Sequence, residues 1–304
     1  MSVDVIRFVK FVIISLILIV LIDLGVCGIF DKLLAIAVNK APNASKTEYA
    51  MMKVDAEVII IGDSRASHHY VSQIIKDSLK MDAYNCGLDG TNFLYHYCLV
   101  TSIINRADKP RVIMLDINPD EFFESDNEEQ GAGLVELYPF YPQNKHVQNV
   151  IHSIGPWEQM KMLSGMYRYN SRLIMFAQRL MGTDYKSTGG YEAFPISANR
   201  VPKKYTKQYC LTDGIKQDYY RKINELKERC EAEGVRLVLS FSPMLIQSNI
   251  LQTKVYKTLN ESVGIVNNND FLEDPSLFND NVHLNHNGAV EFTNKIVKEL
   301  RTIL

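Results

Sequence analysis

Residues 56–61, AEVIII, end in four consecutive β-branched side chains and stop at Gly62-Asp63-Ser64. A run that is apolar on both faces has no solvent side. It fits a parallel strand buried in a sheet that helices cover above and below. Val71, Ile74, Ile75 and Leu79 then recur at helical spacing. The pattern repeats. DAYNCG (82–87) reads as a second strand, and Phe93, Leu94, Tyr97, Val100 and Ile104 as the face of a helix. RVIMLDI (111–117), introduced by Lys109-Pro110, reads as a third strand. After Asp213, Ile215, Tyr219, Ile223, Leu226 and Cys230 line one helix face, and Gly234 is placed to end it. VRLVLSF (235–241) and GIVN (264–267) supply two more strands, and Val290 to Leu300 a last helix. Alternation of this kind predicts a flavodoxin-like three-layer α/β/α fold around a parallel sheet of about five strands. Residues 120–205 break the rhythm with an acidic stretch (124–133), aromatic LYPFYP (137–142) and a predicted helix around 163–181. They read as an insertion over the sheet.

The N-terminus has a different character. Phe11 to Ile22 is apolar except for Ser15, and after Asp23 the run resumes through Phe30. Together these approach the roughly twenty residues that cross a bilayer. Arg7 and Lys10 precede the run, which predicts a cytoplasmic N-terminus and an extracytoplasmic remainder, in the periplasm or at the cell surface. No A-x-A-like cleavage site stands out, and LGVC (24–27) resembles a lipoprotein site only faintly because of Val26. The expected organisation is an anchor over 1–33, a linker over 34–55, and an α/β domain over 56–304 carrying the insertion.

A net charge of −2 removes the electrostatic case for nucleic acid, which wants a concentrated basic surface. Cys27 lies in the anchor. Cys86, Cys98, Cys210 and Cys230 read equally as buried thiols or as pairs, and their spacing matches no zinc pattern. No metal or other cofactor is expected.

Parallel sheets bind ligands at the carboxyl ends of their strands. Ser64 follows the first predicted strand, Gly87 ends the second, Asn118 follows the third, and DNVHLNHNGA (280–289) lies beyond the fifth. In these blocks the chain resembles the SGNH (GDSL) hydrolase superfamily, from about Ala56 to the C-terminus outside 120–205. GDS at 62–64 matches the family's nucleophile block, and DNVH at 280–283 its Asp-x-x-His block. The resemblance implies that Ser64, Asp280 and His283 are a catalytic triad. It further implies that the Ser64 and Gly87 N–H groups and the Asn118 side chain form the oxyanion hole. Where the family has Gly-x-Asn-Asp, this chain reads Asp116-Ile117-Asn118-Pro119, so Asp116 bears on access to Asn118.

The chemistry stands beside the match. A serine hydroxyl needs a base within hydrogen-bond reach, and a neutral imidazole is one near pH 7. An aspartate three residues before the histidine can reach its other ring nitrogen and fix the tautomer. Each residue also has a plainer reading. Ser64 and Asp280 suit helix or turn caps, Asn118 a turn, and Asp63 local turn hydrogen bonds. Arg65 reads as a surface or packing residue, or as a guide for an anionic substrate. His68 and His69 read as surface residues, His286 lacks an aspartate three before it, and the aromatics at 137–142 read as core.

The expected function is that of a membrane-anchored serine esterase or acyltransferase. Resemblance and anchor together imply acyl, chiefly O-acetyl, groups of cell-envelope glycans as substrate, with a membrane acyltransferase as a partner. The rival is a non-catalytic envelope protein that binds glycan or an acyltransferase. A Ser64–His283 separation far beyond about 3.2 Å favours the rival.

Overall fold

The computed structural model describes residues 3–40, 46–124, 133–170, 189–194, 202–267 and 274–304. The chain divides into two compact units: residues 1–44 with 135–184, and residues 45–134 with 185–304.

The larger unit is an α/β fold. β1 (Val58–Ile61), β2 (Ala83–Asn85), β3 (Val112–Asp116), β5 (Arg236–Phe241) and β7 (Ile265–Asn267) form one sheet in the order β2-β1-β3-β5-β7. All four pairings are parallel. This is the flavodoxin-like order expected, with each strand starting from a segment the sequence marked. A second, two-stranded parallel pair, β4 (Tyr205–Lys207) with β6 (Ile246–Ser248), gave no such signal. Three residues are too few for an alternating pattern to register.

Both faces of the main sheet are dry, as its β-branched run demands. Val58, Ile60, Val112, Met114 and Val238 pack in a core with α4 (Ser72–Leu79) and α11 (His286–Ile303). The alternate residues Ile59, Ile61, Ile113 and Leu115 are equally buried and turn to the other face. There lie α5 (Phe93–Ile104), every residue of which is buried, and α9 (Gln217–Ala232). Each such side chain contributes about 1.5–3 kcal/mol through loss of water contact. α9 buries Tyr219, Ile223, Leu226 and Cys230, the stripe expected for it, and Gly234 follows at φ +71°.

Between β1 and α4 lies the short α3 (Ser64–His69). α10 (Lys254–Ser262) leads to β7. The stretch expected to be a linker is divided. The N-terminal helix α1 runs on to Lys40, while α2 (Lys46–Met52) belongs to the α/β unit with Lys46, Thr47, Glu48, Ala50 and Met51 buried.

The insertion is divided too. Residues 135–170 belong with α1 and contain α6 (Lys145–Ile154), α7 (Pro156–Lys161) and α8 (Gly165–Tyr169). Of the helix expected over 163–181, α8 is described and 171–181 lie outside the described residues, as does most of the acidic stretch. α1 is long and apolar enough to cross a membrane from Val3 to Ile36.

Asp116, at the end of β3, is fully buried. Its Oδ1 accepts hydrogen bonds from the Tyr70 hydroxyl (2.7 Å) and the Ser242 N–H (2.8 Å), and its Oδ2 from the Ser242 hydroxyl (2.8 Å). Burial raises its carboxyl to about 6, against the pull of Arg65 in the other direction. A raised carboxyl supports folding below its unfolded value and loses that support as pH rises through the folded one. Asp116→Asn can keep the two hydrogen bonds at Oδ1 and donate from Nδ2 to the Ser242 hydroxyl in place of the third, without the charge. The variant should therefore gain on wild type, in melting temperature, between about pH 4 and about pH 7. Thermal melts at the two ends of that range test this, and a constant gap would contradict it.

Candidate active site

The β1–α3 turn sets the first group. Asp63 caps α3, its Oδ1 accepting the Arg65 N–H at 2.8 Å, so Ser64 is the first helical residue and not the cap. Its own N–H lies among the helix-start donors that have no intrahelical acceptor. The second group comes from the far end of the chain. Phe278 and Leu284 pair across a tight loop, and Asn279 N–H donates to the His283 carbonyl at 2.8 Å. Inside that loop Asp280 Oδ1 accepts the N–H groups of Val282 (2.8 Å) and His283 (2.9 Å), which folds the carboxylate back under the imidazole.

The result is a linear relay. Asp280 Oδ2 lies 2.9 Å from His283 Nδ1, and His283 Nε2 lies 2.8 Å from Ser64 Oγ. With Nδ1–H donated to the carboxylate, Nε2 is left as the acceptor for the serine proton. Burial pushes the Asp280 carboxyl up. Hydrogen bonds from the His283 ring and from the Val282 and His283 N–H groups outweigh this and hold it below its usual value.

The remaining expected residues stand at the same strand ends with their polar atoms partly committed. Gly87 N–H donates to Asn85 Oδ1 at 2.9 Å, and its carbonyl accepts from Lys46 Nζ at 2.9 Å. A Cβ at Gly87 would lie 2.3 Å from Ser67 N, so close packing against α3 requires glycine there. Asn118 Oδ1 accepts the Asp120 N–H at 3.2 Å and caps the short 3₁₀ turn Pro119–Phe122. That commitment leaves its Nδ2 hydrogens as donors. The Asp116 carboxyl is taken up by Tyr70 and Ser242.

Several expectations are corrected. His68 and His69 are buried, not surface residues. His69 Nε2 accepts the Leu284 N–H at 3.0 Å, tying α3 directly to the catalytic-type loop. Burial first, then the neighbouring Arg65 and His283, hold its pKa well below the usual value, which keeps the imidazole a neutral acceptor. His68 lies between the Glu192 carbonyl (2.7 Å from Nδ1) and Asp89 Oδ2 (3.2 Å from Nε2). Arg65 follows its packing reading: it is buried, with Nη2 donating to the Ile117 carbonyl at 3.2 Å and Nε 3.5 Å from Asp63. His286 starts α11 and meets the Tyr191 hydroxyl at 3.1 Å.

Two contributors carried no sequence signal. Lys46, expected in a linker, is buried, donates to Ser67 Oγ at 2.9 Å and pairs with Glu192 at 2.8 Å. Residues 189–194 form a strap across the ends of β2 and α3. The Asn85 N–H donates to the Gly189 carbonyl, and the Glu192 N–H to the Ser67 carbonyl. At Gly190, φ is +81° and a Cβ would lie 2.0 Å from the Asn85 carbonyl, so only glycine fits. The strap brings the Phe194 ring to 3.8 Å from that of His68 and 5.3 Å from that of His283.

Among the described residues, no group of three or more His, Cys, Asp or Glu is placed to hold a metal ion. No protein-family model matches the chain, and no curated protein matches it in sequence.

Asp280→Asn can keep Oδ1 on both backbone N–H groups while turning an amide hydrogen toward His283 Nδ1. That moves the ring proton to Nε2, where it blocks acceptance from Ser64. The rate of acylation at Ser64 should drop on the order of a hundredfold or more, with melting temperature almost unchanged because the carboxylate is half exposed. An unstable variant with normal acylation would make Asp280 a turn-holding residue only.

Proposed function

We propose that the chain is a membrane-anchored serine esterase or acyltransferase of the SGNH type that works through an acyl-Ser64 intermediate. The observation that carries this reading is the unbroken Asp280–His283–Ser64 relay at the carboxyl edge of a parallel sheet. The Ser64–His283 distance of 2.8 Å is within reach of proton transfer, which counts against a purely binding role.

In the proposed reaction, Ser64 Oγ attacks an ester carbonyl as His283 Nε2 takes the hydroxyl proton. The carbonyl oxygen gains negative charge and faces the Ser64 N–H and the Asn118 Nδ2. The Gly87 N–H joins them if it is shared with Asn85 Oδ1. Loss of one such donor typically costs about 3–4 kcal/mol of transition-state stabilisation. His283 then returns its proton to the leaving alcohol, and the acyl group remains on Ser64. Water ends the cycle as hydrolysis, and a sugar hydroxyl ends it as transfer. In either case His283 accepts the proton of the incoming group, so the same residues serve both. Asp280 stabilises the imidazolium at each stage.

The substrate class is suggested by the SGNH resemblance together with the anchor, and no residue encodes it. The apolar helix α1 is compatible with a membrane anchor, and Arg7 and Lys10 before its apolar run favour an N-terminus in the cytoplasm. The α/β unit then lies outside the cytoplasm, with acyl groups of envelope glycans as the proposed substrate and a membrane acyltransferase as a fitting donor partner.

A fluorophosphonate probe should label the wild-type chain and fail on Ser64→Ala. Labelling that survives in the variant would remove Ser64 as nucleophile. An alkaline phosphatase fused after Leu304 should be active, since that enzyme matures only outside the cytoplasm. An inactive phosphatase, with an active cytoplasmic reporter at the same point, would overturn the envelope assignment.

A further inference from the structure

Trp157, Met160, Leu163 and Met166 recur every third residue through α7 and α8, and 72%, 58%, 81% and 52% of their surfaces are exposed. α7 buries none of its residues. Scattered exposed apolar side chains are ordinary, but four large ones in ten consecutive residues form a patch that wants a cover.

The inner side of the same segment is packed on α1. Met162 and Tyr169 are buried, and Phe30 stacks on Tyr169 with ring centroids 5.3 Å apart. Gly165 is so close to Cys27 that a Cβ there would fall 2.5 Å from the Cys27 Cβ. Asp23 fastens the segment. Its Oδ1 accepts the Ser164 hydroxyl and the Met166 N–H at 2.8 Å each, and its Oδ2 accepts the Gly165 N–H at 2.7 Å. Tyr169 hydrogen-bonds Asp31 eight residues further along α1. An unpaired acid in an apolar membrane helix is costly and selects for a partner. α8 is that partner. On α1 next to Asp23, Leu21, Ile22 and Leu24 are exposed, and both apolar surfaces belong to one unit.

We infer that α7 and α8 form a paddle that lies in the headgroup–acyl boundary of the bilayer crossed by α1, held there by Asp23. This rests on α1 being a membrane span. The occupant of the exposed patch is lipid, for two reasons. The patch adjoins a helix whose apolar side chains from Phe11 to Ile22 are themselves exposed. Its largest member is a tryptophan, the residue most suited to the membrane–water boundary.

Trp157 is the chain's single tryptophan, so intrinsic fluorescence of the full chain reports this position alone. The experiment uses the full-length protein in phosphatidylcholine vesicles. Flotation after an alkaline carbonate wash reports insertion of α1. In the floated fraction, lipids brominated near the headgroup end of the acyl chain should remove most of the Trp157 emission. Lipids brominated near the midplane should remove less, and aqueous iodide little. Asp23→Ala should still float but should exchange lipid quenching for iodide quenching as the paddle is released. Protein that floats with Trp157 open to iodide and unaffected by brominated lipid would overturn the paddle and leave the anchor standing. Protein that does not float would overturn both. Lipid quenching unchanged in a floating Asp23→Ala would overturn the clamp. The wild-type measurement decides the position of Trp157 even if the variant does not fold.

Discussion

The carboxyl group of Asp116 accepts three hydrogen bonds in a place with almost no water, and the active edge of the sheet is arranged around it. Its partners come from two other parts of the chain, Tyr70 just after α3 and Ser242 just after β5, and tie both to the end of β3. The Tyr70 hydroxyl also reaches Ser240 Oγ at 2.8 Å. This polar knot fixes the far end of α3 while Asp63 fixes the near end. A six-residue helix held at both ends has little freedom to move, and Ser64 is its first residue. The placement of Ser64 therefore originates in a buried acid with which it shares no hydrogen bond.

The loop carrying His283 is held by the helix carrying Ser64. His69 accepts the Leu284 N–H on one side of His283, and Asp280 accepts the His283 N–H on the other. The Ser64–His283 hydrogen bond is then one of several links between the same two segments. Its geometry need not be maintained by the catalytic groups alone. The half-exposed Asp280 contrasts with the fully buried His69. Charge sits where water can still reach it, and the structural histidine stays neutral where water cannot.

The legible parts of this protein were those whose signal is local and periodic. β1, β3 and β5 announce themselves by continuous β-branched and aliphatic runs, and α9 by a stripe at helical spacing. The hydrogen-bonded set Ser64, His283 and Asp280 was legible because Asp280 and His283 are three residues apart, and because Ser64 stands in the turn after a strand. What stayed hidden depends on long-range packing. His68 and His69 are polar letters on a short helix, and nothing local says that the strap at 189–194 and the loop at 278–284 cover them. Lys46 is a cation in a polar stretch whose burial follows from three partners distant in sequence. Nothing local in the sequence says that the Gly87 N–H meets Asn85 Oδ1 or that the backbone of α3 fills the space beside it. Asp23, which interrupts the apolar run, made sense only once Ser164 and Gly165 were found beside it.

All five cysteines are unpaired, and Cys210 alone of them is exposed. Burial pushes the thiols of Cys86 and Cys230 up to about 12 and raises that of Cys98 as well. A thiol so reluctant to ionise is a poor partner in disulfide exchange, which proceeds through the thiolate. The three buried thiols of the α/β unit are thus sheltered from exchange. The same property makes Cys210 a single selective handle on the α/β unit for any thiol-directed chemistry.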